Sequence, residues 1–209
     1  MIEIKHRISS VVLLQLPSSR LDGQKLDRAH LAEADLAGVN LSGTNLICAD
    51  LSKADLRRSC LKSALLDGAN LEAALLAGAD LTDCRLVGAN LSWAKLREAV
   101  LRYAFLSGAN LYCADLTGAD LSMADLRANF SEANLAEANL QGANLSGANL
   151  QGANLERANL TGANLTNANL FGAKLAAAVL NKVVGWRGAT SRPVPIRAAP
   201  RKEWWRLWN

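Results

Sequence analysis

Aromatic residues make up only 5% of this 209-residue chain, although half of its residues are apolar. A globular core of that size usually takes its bulk from Phe, Tyr and Trp. Their scarcity leaves Leu and Ala to fill the interior, which implies small, similar layers rather than one irregular core. Histidine is scarcer still, with His6 and His30 alone. No His-rich metal motif, phosphate-binding loop or G-x-S-x-G nucleophile turn occurs. His30 has no partner in the pattern that would orient it as a base, so it reads as a surface residue. The chain is not expected to be an enzyme, and no cofactor is implied. Cys48, Cys60, Cys84 and Cys113 lack CxxC spacing and read as reduced thiols of a cytoplasmic protein. No apolar run reaches membrane-spanning length. The short one at 8–16 follows Glu3, ends at Pro17 and precedes no small-residue cleavage site, so no signal peptide is expected.

Charge is unevenly placed. The whole chain carries +4, but residues 20–180 hold 14 basic against 17 acidic side chains. Residues 181–209 hold seven basic ones against Glu203 alone. A mildly acidic body therefore carries a strongly basic tail.

The body is built on one repeated unit. Leu recurs at every fifth position from Leu21 to Leu126, in units that read A-(D/N)-L-x-x, as in Ala49-Asp50-Leu51. One residue is then missing, since Phe130 follows Leu126 by four. The frame resumes through Leu135 to Leu180, which brings the total to 33 units. A period of five suits neither common element. On a helix, steps of about 100° rotate successive Leu side chains by about 140° and leave no apolar face. On a flat strand, an odd period sends alternate Leu residues to opposite sides. A chain that turns once per unit, always in the same sense, can point every Leu at one axis, and stacked coils then bury them continuously. Periodicity alone leaves the number of sides open.

The A-(D/N)-L-x-x tandem resembles the pentapeptide-repeat family over about three quarters of the chain. The resemblance implies an all-β fold, a right-handed quadrilateral parallel β-helix with four units per coil. It also implies that each Leu, and the Ala two positions before it, point inward, while the Asp/Asn and the last two positions point outward. Thirty-three units then make about eight coils, and strand spacing near 4.8 Å gives a rod roughly 40 Å long. The residue types suit these places. Ala occupies its slot in 27 of 33 units, with Ser19, Gln24, Val39, Thr44, Ser59 and Cys84 as exceptions, so the coil is not overpacked. Asp and Asn suit corners because their side chains bond nearby backbone amides.

Three segments are expected: a strand or hairpin cap at 1–19, the β-helix at 20–180, and a basic, Trp-rich linker and cap at 181–209. In the cap, Ile2, Ile4 and Ile8 alternate with charged residues, with Val11 to Leu16 beneath. In the tail, Trp204, Leu207 and Trp208 fall on one face of a short helix. That face has four possible roles: closing the last coil, forming a homodimer as some relatives do, touching a membrane surface, or contacting single-stranded nucleic acid.

The outward slots carry what specificity there is. Positions 20 apart stack in columns. One column, from His30 through Asp50, Asn70, Asn90, Asn110 and Asn129, is polar throughout. The others break in the middle coils, at Leu65, Leu75, Lys95, Val100 and Phe105, with Trp93, Tyr103 and Tyr112 nearby. Exposed residues of these types suggest a surface for a protein partner, although scattered apolar substitutions also arise by drift. Leu75, Trp93, Lys95 and Tyr112 form the tightest group. The leading function is thus a non-enzymatic scaffold or protein-binding module of bacterial type. The alternative that the resemblance supplies is a DNA mimic that inhibits DNA gyrase or another topoisomerase. That role asks for a strongly acidic surface, whereas residues 129–169 carry neutral Asn in the outward slots. Neither a nucleic acid nor a membrane is an expected partner.

Overall fold

Leu side chains that share one axis need a backbone that turns at regular intervals, and the backbone does so at each repeat. A computed structural model describes residues 1–185 of the chain. Each unit contributes one short extended segment and one corner. Parallel bridges join residues 20 apart, as in Asp50↔Asn70↔Asn90↔Asn110, so four units complete a coil and the coil has four faces. Face 1 carries Asn40, Cys60, Asp80, Val100 and Asp120 in its outward slots. Face 2 carries Leu65, Arg85, Phe105 and Asp125, face 3 carries the His30–Asn110 column, and face 4 carries Asp55, Leu75, Lys95 and Asp115. Three backbone hydrogen bonds per unit tie each coil to the next, such as Leu71 N to Asn90 O at 2.7 Å, Asn90 N to Ala69 O at 2.9 Å and Ala73 N to Ser92 O at 2.9 Å. Among the described residues there is no helix, and hence none long and apolar enough to cross a membrane.

Each corner is a turn in which the Ala amide donates to the preceding Leu carbonyl, for example Ala74 N to Leu71 O at 3.0 Å. The second residue after each Leu has φ near +60°, the left-handed conformation of a type II turn. Gly supplies it at 13 corners, but at 19 a residue with a side chain is held there, including Ala73, Trp93 and Tyr103. Cohesion of the stacked coils outweighs that local strain. Leu31 through Leu170 and nearly all the Ala slots are sealed from solvent, and each buried Leu contributes about 1.5–3 kcal/mol.

The exceptional Ala-slot residues are accommodated by position. Thr44, Ser59 and Cys84 are buried, and each gives its hydrogen to a carbonyl: Thr44 Oγ1 to Leu21 O at 2.9 Å, Ser59 Oγ to Leu56 O, and Cys84 Sγ to Leu61 O, both at 2.7 Å. Ser19 is exposed, and Gln24 and Val39 are only half-buried. For Ser19 and Gln24 the inward expectation fails, because the first coil has no coil beyond it.

The missing residue falls on one corner. It removes the left-handed position after Leu126, and Ala128 N reaches Leu126 O at 2.8 Å across three residues instead of four. Bridges on all four faces then run 19 apart, as in Asn110↔Asn129 and Asp125↔Asn144, before returning to 20. Phe130 is fully buried at the next central position, while Ala128 is slightly less sealed than the Ala of other coils. The ladder continues unbroken, so the shortening is a tightened corner rather than a hinge.

At the N-terminus, β1 (Ile2–Lys5) and β2 (Val12–Leu16) pair antiparallel, with Ile4 opposite Leu14. The hairpin docks on face 4 of the first coil through Asp35 N to Lys5 O at 2.8 Å and Arg7 N to Glu33 O at 2.9 Å. Ile4 enters the mouth of the coil and is buried there. Ile8 and Val11, expected to pack with it, are exposed, because both lie in the loop between the strands. His6 closes that loop by accepting the Ile8 and Ser9 amides at Nδ1.

Candidate functional site

Because Leu and Ala fill the interior, only outward residues can meet a ligand, and most of those are tied up at corners. The Asp/Asn carboxyl or amide oxygen accepts the amide two residues on, as in Thr82 N to Asp80 at 3.1 Å. Asn does a second job that Asp cannot, because its amide also donates to the preceding coil. On face 3, Asn70 donates to Asp50, Asn90 to Asn70, Asn110 to Asn90, Asn129 to Asn110, Asn149 to Asn129 and Asn169 to Asn149, over 2.8–3.4 Å. This ladder explains why the His30 column stays polar: its Asn side chains hold coils together. It crosses the shortened corner with its tightest bond, Asn129 to Asn110 at 2.8 Å.

Acidic slots are largely neutralised. Asp55 pairs with Arg57 at 2.5 Å, Asp125 with Arg127 at 2.6 Å, Asp67 with Arg85 at 2.9 Å and Asp80 with Lys62 at 3.2 Å. Arg97 and Arg102 approach Asp115 and Asp120, both at 3.8 Å. The Arg57 hydrogen bonds hold the Asp55 carboxyl below its usual pKa, and Arg127 does the same for Asp125. Burial pushes the Cys84 thiol up to about 12. All four described cysteines are unpaired, and Cys48 is exposed. No cluster of metal-ligating side chains occurs among the described residues.

The residues expected to form a surface divide into separate groups. Trp93 lies at the corner from face 3 to face 4, and Tyr112 lies one coil further on at the same edge. Their rings meet edge to face, with centroids 5.6 Å apart and planes at 88°. Leu75 and Lys95 are neighbours in the adjoining face 4 column. Tyr103 and Phe105 flank the corner from face 1 to face 2, diagonally across the rod, and Leu65 lies further along the face 2 column. There the Arg102 guanidinium covers the Tyr103 ring at 5.6 Å. Val100 stands alone on face 1 between Asp80 and Asp120, and it and Leu65 are half-buried. Met123, exposed in the coil after Tyr103, was not among the expected residues. It occupies a left-handed corner position, which the repeat marks only by its place after Leu121. The expected face of Trp204, Leu207 and Trp208 lies outside the described residues.

Among solved structures, HetL from the cyanobacterium Nostoc sp. strain PCC 7120, a protein involved in heterocyst differentiation regulation, is 36% identical over 80% of this chain and 90% of its own, with a TM-score of 0.31. The plasmid-mediated fluoroquinolone resistance protein QnrB1 is 20% identical over 83% of this chain and 89% of its own, with a TM-score of 0.55, a likeness of fold alone. Rfr23 from the cyanobacterium Cyanothece 51142 is 48% identical over 44% of this chain and 60% of its own, with a TM-score of 0.31. No curated protein sequence matches the chain. The pentapeptide-repeat family model matches residues 25–62, 64–102, 89–127 and 128–167. With four units per coil, a Leu-lined axis and turns of one kind at every corner but the shortened one, the chain belongs to the pentapeptide-repeat family and folds as its right-handed quadrilateral β-helix.

Proposed function

We propose that the chain is a non-enzymatic scaffold that presents a rigid surface to a protein partner. The observation that carries this reading is the Trp93–Tyr112 pair, with 49% and 39% of its residues' surface exposed and the two rings in contact with each other. Large amphipathic rings held by a stiff backbone lose little entropy on binding, which is why such residues dominate interface energetics. Leu75 and Lys95 extend the same edge, while Tyr103, Phe105 and Leu65 form a smaller second surface whose Tyr is already covered by Arg102. The four unpaired cysteines favour a reducing compartment, the cytoplasm. Pairing of two chains through the C-terminal end stays within this reading.

The gyrase-inhibitor alternative has less support. Seven Asp side chains are each met by Arg or Lys, so part of the phosphate-like charge is offset at the surface. A supercoiling assay with purified gyrase should show no inhibition. For the leading reading, Trp93→Ser with Tyr112→Ser should leave the unfolding temperature nearly unchanged and abolish capture of the partner that the natural chain retains from its host's lysate. Identical capture by both chains would sink it.

A further inference from the structure

Two tyrosines at opposite corners of neighbouring coils differ in one respect. Tyr103 has a cation of its own, since Arg102 lies over its ring. Neither Tyr112 nor Trp93 has one among the described residues. Their edge-to-face contact leaves at least one face of each ring uncovered by the other, and both residues are exposed. Aromatic faces attract cations through the ring quadrupole.

A carboxylate lies further along this edge. Glu132 follows Cys113 and Trp93 in the same corner column, and the slip near Phe130 leaves that column intact. Cys113 N donates to Ser131 O at 3.1 Å, which places the Tyr112–Cys113 corner directly against the coil of Glu132. The Glu132 side chain lies over Gly152, where a glycine leaves room for it. Glu132 is exposed and has no ion-pair partner among the described residues, unlike the seven Asp that lie against Arg or Lys. The Tyr112 hydroxyl is raised from its usual pKa first by Cys113, then by burial, and least by the Glu132 charge. Lys95, two residues after Trp93, lies on the adjoining face beside Asp115 in its column and makes no ring contact.

We propose that Trp93, Tyr112 and Glu132 form a recognition site for a cationic side chain, an arginine or lysine in a basic segment of the partner. The inference rests on the scaffold reading and names the partner's chemistry at that edge. The cation would stack on an open aromatic face, with Glu132 taking its charge. On the diagonally opposite corner Arg102 supplies the same stacking internally, so that edge needs no ligand.

The test uses the full chain and a fluorescein-labelled Arg-Gly repeat octapeptide, with its Gln-Gly counterpart as the neutral probe, read by anisotropy at moderate salt. The Arg peptide should bind and the Gln peptide should not. Trp93→Ala and Glu132→Gln should each weaken binding by about threefold or more. Glu98→Gln, which removes an unpaired charge from a different corner, should have little effect. Unfolding temperatures confirm that each variant is folded. Absence of binding, equal binding of the two peptides, or equal loss with Glu98→Gln overturns the proposal. If the double Ser variant still loses its partner while the peptides fail to discriminate, the scaffold reading stands and the cation reading falls.

Discussion

The corners offer a measurement in which backbone strain can be separated from packing. Gly88 has φ +66° and no atom lies within 4 Å of where a Cβ would stand, so Gly88→Ala changes conformational energy and almost nothing else. Holding an L-residue in the left-handed region costs about 1–2 kcal/mol. Removing glycine's extra freedom from the unfolded chain returns about 0.5–1 kcal/mol. The substitution should therefore destabilise by about 0.5–1 kcal/mol. Ala73 occupies the equivalent corner at φ +53°, so Ala73→Gly should stabilise by a similar amount. Gly142 provides the contrast, because the Met123 sulfur lies over it and an added methyl would displace that side chain. Gly142→Ala should cost more than Gly88→Ala. Equilibrium urea unfolding followed by circular dichroism measures all three. The slope must be compared as well as the midpoint, since a solenoid whose coils touch only their neighbours can unfold in parts. The reasoning is refuted if Gly88→Ala is neutral or stabilising, or if Ala73→Gly destabilises.

Three further outcomes are expected. Phe130→Ala should cost about 3–5 kcal/mol in the same assay, because Phe130 is fully buried beside the tightened corner, whereas Phe130→Leu should cost under about 1.5 kcal/mol; a larger loss for Leu than for Ala would contradict the packing. Thiol labelling of the folded chain should modify Cys48 quickly and spare Cys84, whose thiol is buried and pushed up to about 12; equal rates would show that the coil opens readily there. The Asp55 carboxyl is held below its ordinary pKa by Arg57, so its stabilisation is present above the unfolded carboxylate value of about 4 and is lost as pH falls through the lower folded one. The gap in stability between the natural chain and Asp55→Asn should accordingly narrow on acidification, and a gap that stays constant in titrated unfolding curves would rule this out.

Much of the molecule was legible from Leu spacing. A period of five admits only a chain that turns at every unit, and the single missing residue near Phe130 gave the shift from 20 to 19 between stacked positions. The Asp/Asn slots announced corners through their known affinity for nearby amides, and the structure shows those bonds. Ile8 and Val11 lie in the loop and not under the cap, because strand alternation does not reveal where a hairpin loop begins. Stacking of positions 20 apart already groups Trp93 and Tyr112 with Leu75 and Lys95, but the ring contact itself depends on side-chain directions that the columns do not give. Trp93 and Tyr112 come from different slots of successive coils and still touch.

The sequence by itself determined the coil, its inward Leu and the place of its one irregularity, because a strict period leaves a single way to bury every fifth side chain. Four-sidedness came with family resemblance and is physically expressed in bridges 20 residues apart. Tertiary structure alone decided the rest. Left-handed backbone at the corners is imposed by stacking, since Ala73 or Trp93 would not choose it locally. Asn donates along the rod only because another coil lies one strand spacing away. For the same reason the Tyr103 corner carries its own cation and the Trp93 corner does not: ring and guanidinium meet through side-chain directions that each corner sets, which no repeat unit encodes.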